Sequence, residues 1–308
     1  MVQFGARLLA LLSFIGVVAA FAPVHPAART ARRRPSVNTL VRRSWLIAPP
    51  DPCERTSDEG DIVAFTGGGL FYWWQAGYMS AFRLPPNARV VGASAGSLTA
   101  LMAKCDVDQE EAFRLALDLC DKYEIFSRPL GLAGRWGGLV REWINALLPM
   151  DAHERCRGKV HVLITHIAID PFAPEGSPQK LSWPLLKRVR VTDFRDRADL
   201  VDCVMASVHI PWFMDGTIAA TFRGQNFVDG SFLQRDGELT VPLLVPVCGC
   251  EENGFPDVTV DHKYDASLED GTAFLQLKPG PELVRALMSR GKAFAARQHG
   301  ELREPSSL

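Results

Sequence analysis

Three short segments of this chain hold residue types that together can carry out acyl transfer. The first is Thr66-Gly67-Gly68-Gly69, which ends the apolar run Ile62-Val63-Ala64-Phe65. The second, Gly92-Ala93-Ser94-Ala95-Gly96, ends the run Arg89-Val90-Val91. A Gly-x-Ser-x-Gly between a strand and a helix forms a sharp elbow that holds the serine Oγ exposed as a nucleophile. A glycine loop feeding a helix presents unpaired N–H groups and the positive end of the helix dipole, which suits an anion. The loop 67–69 lacks both the Gly-Lys-Ser/Thr of a phosphate loop and the spacing of a dinucleotide fingerprint. Beside a serine elbow it reads as an oxyanion hole, with Gly67, Gly68 and Gly69 as donors. The third segment, Asn226-Phe227-Val228-Asp229-Gly230-Ser231, puts an acid before a glycine at a strand end. Asp-Gly between apolar residues is also a common hairpin turn. Alongside the two glycine turns, Asp229 is better read as the general base for Ser94.

No histidine competes for that role. His161, His166 and His209 lie in apolar runs and read as packed core groups, while His262 and His299 lie in a polar loop and near the end of the chain. An α/β-hydrolase would place several strands ahead of its elbow, and the stretch from Asp61 to Ser94 is too short for them.

Elements must bring these residues together. Strands are expected over 62–65 and 89–91 with a helix over 70–82 between them, so both glycine turns fall at one edge of a parallel sheet. Helices are expected over 97–104, 108–123, 139–148, 200–208 and 281–298, each from its apolar spacing or its stop signals. The stretch 129–138 is glycine-rich and is expected to be mobile. Further strands are expected over 160–169, 187–191 and 243–247, with strand, turn and strand over 225–233. Strands alternating with helices imply an α/β layer fold with a mainly parallel sheet.

With 308 residues and 47% hydrophobic content, the chain can bury one large core or two small ones. The net charge of −1 conceals an asymmetry, since residues 1–50 hold seven arginines and no lysine, aspartate or glutamate. Removing that +7 from −1 leaves −8 for residues 51–308, which gives no basic footprint for nucleic acid. Residues 1–22 have the layout of a secretory signal, and residues 23–50 have the Arg-, Ala- and Pro-rich, acid-free composition of a transit peptide. The junction Val18-Ala19-Ala20-Phe21-Ala22-Pro23 resembles the phenylalanine-marked cleavage site of bipartite plastid-targeting leaders, which implies delivery to a plastid, with secretion or an endomembrane address as the alternative. Residues 51–60 read as a linker and 304–308 as a tail. The seven cysteines are odd in number and too sparse for a disulfide framework, so most are expected to be buried thiols.

Taken in order and spacing, Thr66-Gly67-Gly68-Gly69, Gly92-Ala93-Ser94-Ala95-Gly96 and Asp229-Gly230 resemble the three motifs of patatin-like phospholipases. The similarity is closer to the adiponutrin and adipose triglyceride lipase branch. Tyr78-Met79-Ser80-Ala81, Leu148-Pro149-Met150-Asp151-Ala152-His153-Glu154 and Arg290-Gly291-Lys292 add to it. The resemblance covers 61–303. It implies a patatin-like three-layer α/β/α sandwich and a Ser94–Asp229 dyad without histidine. Gly67, Gly68 and Gly69 then donate to the oxyanion, Gly92, Gly96 and Gly230 shape the motifs, and no metal or cofactor is needed. It also implies a glycerolipid ester as substrate, triacylglycerol or membrane lipid, met at a membrane or lipid-droplet surface. An acyltransferase or a weakly active lipid-surface binding protein would keep the same residues. Two departures stand out: Tyr72 replaces a glycine of the loop, where it narrows the acyl entrance, and Ser231 replaces a smaller residue. Phe71, Tyr72, Trp73 and Trp74 crowd the start of the first helix, about half of them expected to face the core. Trp136 and Trp143 are expected to form a lipid-docking edge.

Overall fold

The computed structural model describes residues 61–85, 87–167, 186–232, 258–268 and 275–300. The expected leader (1–50), linker (51–60) and tail (304–308) lie outside the described residues, as does the expected strand at 243–247.

Strands and helices alternate as β1 (Ile62–Phe65), α1 (Tyr72–Ala81), β2 (Arg89–Ala93), α2 (Ala95–Lys104), α3 (Gln109–Lys122), α4 (Trp136–Leu147) and α5 (Ala152–Cys156). They continue as β3 (Val160–Ile167), β4 (Leu186–Val191), α6 (Arg197–Ser207), β5 (Ala220–Phe222), β6 (Gln225–Val228), β7 (Val258–Val260) and α7 (Pro281–Gly300). Strands β7, β1, β2 and β3 lie side by side and parallel, and β4, β5 and β6 join antiparallel around β3. This is the α/β sandwich with a mainly parallel central sheet that the motifs imply. Alternate residues of β1 serve opposite faces, as the strand period requires. Val63 and Phe65 join the large core with the helices, while Ile62 and Ala64 join Val91, Ala93 and Leu163 in a separate cluster.

The register around β3 decides where the site falls. Leu163 pairs with both Arg190 of β4 and Ala93 of β2, whereas Thr165 pairs with both Arg188 of β4 and Val228 of β6. A strand has two edges, so β4 runs along one of them and β2 and β6 share the other. Strand β2 climbs the first half of that edge parallel to β3, and β6 descends the second half antiparallel to it. Their C-terminal ends therefore meet head-on, with Ser94 following one and Asp229 following the other.

Three local expectations change. The hairpin turn is Arg223-Gly224 between β5 and β6, not Asp229-Gly230; both turn residues have positive φ, 48° and 74°, as a two-residue hairpin loop demands. The glycine-rich stretch 129–138 is tied down rather than free. Leu132, Gly134 and Gly137 donate their N–H groups to the carbonyls of Leu277, Phe213 and Met214 at 2.9, 2.7 and 2.8 Å. All four aromatics from Phe71 to Trp74 are buried, because the first two turns of α1, Tyr72 to Tyr78, are covered all round and the helix packs along α7. The cysteines read as expected where they are described: Cys105, Cys156 and Cys203 are buried free thiols, and Cys120 is half-buried.

Candidate active site

Ser94 stands between the last residue of β2 and the first turn of α2, with φ 52° and ψ −127°. A serine adopts that conformation only where its surroundings enforce it. Gly92 and Gly96 permit the fold-back: a Cβ on Gly92 would fall on the Gly96 carbonyl, and one on Gly96 on the Phe65 carbonyl. The turn is then pinned by hydrogen bonds. The Ser94 carbonyl accepts from the N–H and the hydroxyl of Ser97 at 2.9 and 2.7 Å, and the Ser94 N–H donates to Ser207 Oγ at 3.0 Å.

The Ser94 hydroxyl donates to Asp229 Oδ2 at 2.6 Å. No imidazole intervenes. The other carboxylate oxygen, Oδ1, accepts the Ser231 N–H at 2.8 Å. The Asp229 backbone is held as well: its N–H donates to the His209 carbonyl at 2.9 Å, and its carbonyl accepts from Thr165 Oγ1 at 2.9 Å. Enclosure of the carboxyl pushes its pKa up from 3.8 to about 6, against the opposing pull of the Ser94 and Ser231 hydrogen bonds.

The glycine loop lies over this pair. Gly67 is close enough that an added Cβ would stand 3.2 Å from Ser94 Cβ and strike Ser231 Oγ, and Gly69, with φ 55°, lines the same cavity as Ser94. Among the described residues none accepts a hydrogen bond from the Gly67, Gly68 or Gly69 amide, so these donors are free for a ligand. Gly230 packs on the Leu163 carbonyl and donates its N–H to the Ser207 carbonyl at 2.8 Å.

Two residues belong to this arrangement without a sequence signal. Ser207, the last residue of α6, accepts from Ser94 N–H, donates to the Leu163 carbonyl at 2.7 Å and receives Gly230 N–H, so it joins the ends of β2 and β6 to β3. It looks like any small residue in an apolar helix. His262 lies flat on Phe71, with ring centroids 3.9 Å apart, and borders Gly68. Burial lowers its pKa to about 4 and keeps the ring neutral.

From Ser94 an apolar cavity of about 100 Å³ extends between α1, α2, α3 and α4. Tyr72, Trp73, Leu98, Phe113, Leu139 and Trp143 are among its walls. Tyr72 is buried in that wall, its ring edge-on to Trp73 and Trp143 and its hydroxyl donating to Gln109 Oε1 at 3.2 Å. Trp143 is also buried, with its indole N–H on the Ala112 carbonyl at 2.7 Å, and Trp136 is half-buried against Phe213. The pair therefore lines the cavity and does not form the expected docking edge, because helical spacing turns both rings inward.

A serine hydroxyl bonded to a buried carboxylate, beneath free backbone amides and facing an apolar hollow, is equipped to accept and release an acyl group. The patatin-like phospholipase family model matches residues 63–238. The omega-hydroxyceramide transacylase of Mus musculus is 27% identical over 182 residues, 57% of this chain and 28% of that protein. The 1-acylglycerol-3-phosphate O-acyltransferase Pnpla3 of Mus musculus is 28% identical over 54% of this chain and 38% of that protein. Patatin-like phospholipase domain-containing protein 2 of Homo sapiens is 25% identical over 54% of this chain and 31% of its own length. The match thus spans well under half of each of these relatives. With its motifs in order on the expected fold, the chain belongs to the patatin-like phospholipase family.

Proposed function

We propose that this protein is a lipid acyl hydrolase that cleaves carboxylic esters of glycerolipids through a covalent acyl-enzyme. The observation that carries the reading is the 2.6 Å hydrogen bond from Ser94 Oγ to Asp229, with Ser94 in the wall of the apolar cavity. Asp229 takes the hydroxyl proton as Oγ attacks the ester carbonyl carbon. The tetrahedral oxyanion forms against the amides of Gly67, Gly68 and Gly69, whose hydrogens have no competing acceptor among the described residues. The proton passes from Asp229 to the departing glyceride oxygen, leaving the acyl group on Ser94. Water, deprotonated in turn by Asp229, attacks the acyl carbon; the acyl–Oγ bond breaks, Asp229 returns the proton to Ser94 Oγ, and the fatty acid leaves. An aspartate near its ordinary pKa is a feeble base; one raised to about 6 by burial is better matched to neutral pH.

Ser94→Ala is expected to abolish ester hydrolysis and labelling by a fluorophosphonate while leaving the melting temperature near that of the wild type. Retained hydrolysis overturns the assignment. A second reading, transfer of the acyl group to a lipid hydroxyl, draws support from relatives named as a transacylase and an acyltransferase and from the apolar character of the cavity. Supplying a monoacylglycerol acceptor separates the two: hydrolysis gives free fatty acid, and transfer gives a higher glyceride. The basic leader supports plastid glycerolipids as the substrate pool, a proposal checked by mapping the N-terminus of the mature protein.

A further inference from the structure

Two hollows share one wall. The segment joining α3 to α4 sends Phe126 and Leu132 into the apolar cavity, beside Trp136 at the start of α4, and Arg128 and Arg135 into a separate open hollow of about 380 Å³. Lys122, Tyr123 and Glu124 complete that second hollow. Lys122 is engaged by Glu142 at 2.6 Å. Among the described residues neither Arg128 nor Arg135 has a carboxylate partner, and Arg128 Nε is buried without any hydrogen-bond partner. The wall is anchored to the segment 275–279 by Leu132 N–H on the Leu277 carbonyl and by Lys278 Nζ on the Phe126 carbonyl, at 2.9 and 3.0 Å.

This same edge bears large apolar side chains that face water. Phe126, Leu130 and Leu277 are 37%, 39% and 45% exposed. Phe126 is exposed and lines the cavity at once, so it marks the entrance. Clustered apolar exposure beside unpaired arginines suits an interface that is greasy in its depth and anionic at its surface.

We propose that this edge docks on a lipid surface carrying anionic phosphate head groups. Phe126, Leu130 and Leu277 enter the acyl layer, and Arg128 and Arg135 hold the phosphates, which places the cavity entrance against the membrane. The proposal rests on the reading of the cavity as the acyl site, but its test reads binding rather than chemistry. An arginine near an anionic leaflet contributes about fivefold to partitioning, so the two together contribute about 25-fold.

The test uses the full chain in the Ser94→Ala background, so that lipid is not consumed. Flotation is measured with vesicles of phosphatidylcholine alone and of phosphatidylcholine mixed with phosphatidylglycerol. Partitioning should favour the mixed vesicles, and Arg128→Gln with Arg135→Gln should lower it there by about 25-fold, and much less with phosphatidylcholine alone, whose phosphates carry a compensating choline charge. The basic leader is common to both proteins, so the difference between them reports the edge. Leu130→Ser with Leu277→Ser should lower binding to both vesicle types. Hydrogen exchange on the parent protein, free of these changes, should slow at 126–135 and 275–279 when mixed vesicles are added. Unchanged partitioning of the double arginine variant, or slowing confined to other segments, overturns the proposal. Failure of the hydrolase reading shows separately, as ester hydrolysis surviving Ser94→Ala.

Discussion

At Asp229 the enclosed carboxyl sets the pH behaviour of the protein. Its proton is held until about pH 6, so kcat/KM for ester hydrolysis should rise through that value and level off above it. Asp229→Asn should remove activity at every pH. The same shift bears on stability with a definite sign. Below the unfolded pKa of 3.8 the group is protonated in both states; above about 6 the folded state alone bears a buried charge. Between those limits the unfolded chain binds fewer protons, and the wild type loses about 3 kcal/mol as pH rises from 3.8 to about 6. The melting temperature of Asp229→Asn minus that of the wild type should therefore climb from pH 4 to pH 6. A flat difference over that window would show that burial does not raise the carboxyl. The serine partner was legible because glycine spacing advertises an elbow. The aspartate was less so, since Asp-Gly fits a hairpin equally well, and only the pairing of β5 with β6 moves the turn to Arg223-Gly224.

Among the secondary-structure elements, the decisive event is the meeting of β2 and β6 along one edge of β3. Ser207 at the end of α6 holds that junction through its hydroxyl and its carbonyl. Ser207→Ala would leave the buried Ser94 amide without an acceptor, which costs about 1–3 kcal/mol. The elbow would also lose its fixed position, and misplacement on this scale lowers kcat by roughly tenfold to a hundredfold. A lower melting temperature with a reduced kcat and a near-constant KM is the expected outcome of thermal denaturation and steady-state kinetics. The helices, strands and their order were largely readable from apolar periodicity. Edge sharing on β3 was not, because strand pairing is a long-range choice that local pattern does not encode.

For the molecule as a whole, the cavity is the product of assembly. Its walls come from α1, α2, α3, α4 and the segments after α6 and before α7, which lie far apart in the chain. Leu98 sits one helical turn after Ser94 and lines the hollow. Leu98→Trp should fill it at a cost of about 1–3 kcal/mol in overpacking. The ratio of kcat/KM for a long-chain to a short-chain ester should fall by roughly tenfold or more, the scale at which a pocket rejects excess methylenes. An unchanged ratio would place the acyl chain elsewhere. No helix among the described residues is long and apolar enough to cross a membrane. The proposed lipid contact uses the exposed edge of Phe126, Leu130 and Leu277 rather than the inward-turned Trp136 and Trp143.

The sequence by itself determined the α/β class, the family, the serine elbow and the glycine loop, because each of these is a local requirement for small residues or a fixed period. Tertiary structure alone decided that Ser94 and Asp229 touch, that Ser207 joins them and His262 borders the glycine loop, and that Phe71 to Trp74 and Trp143 are buried. Those outcomes depend on which strands share an edge and which helix faces meet, and such pairings are fixed by burial summed over the whole chain.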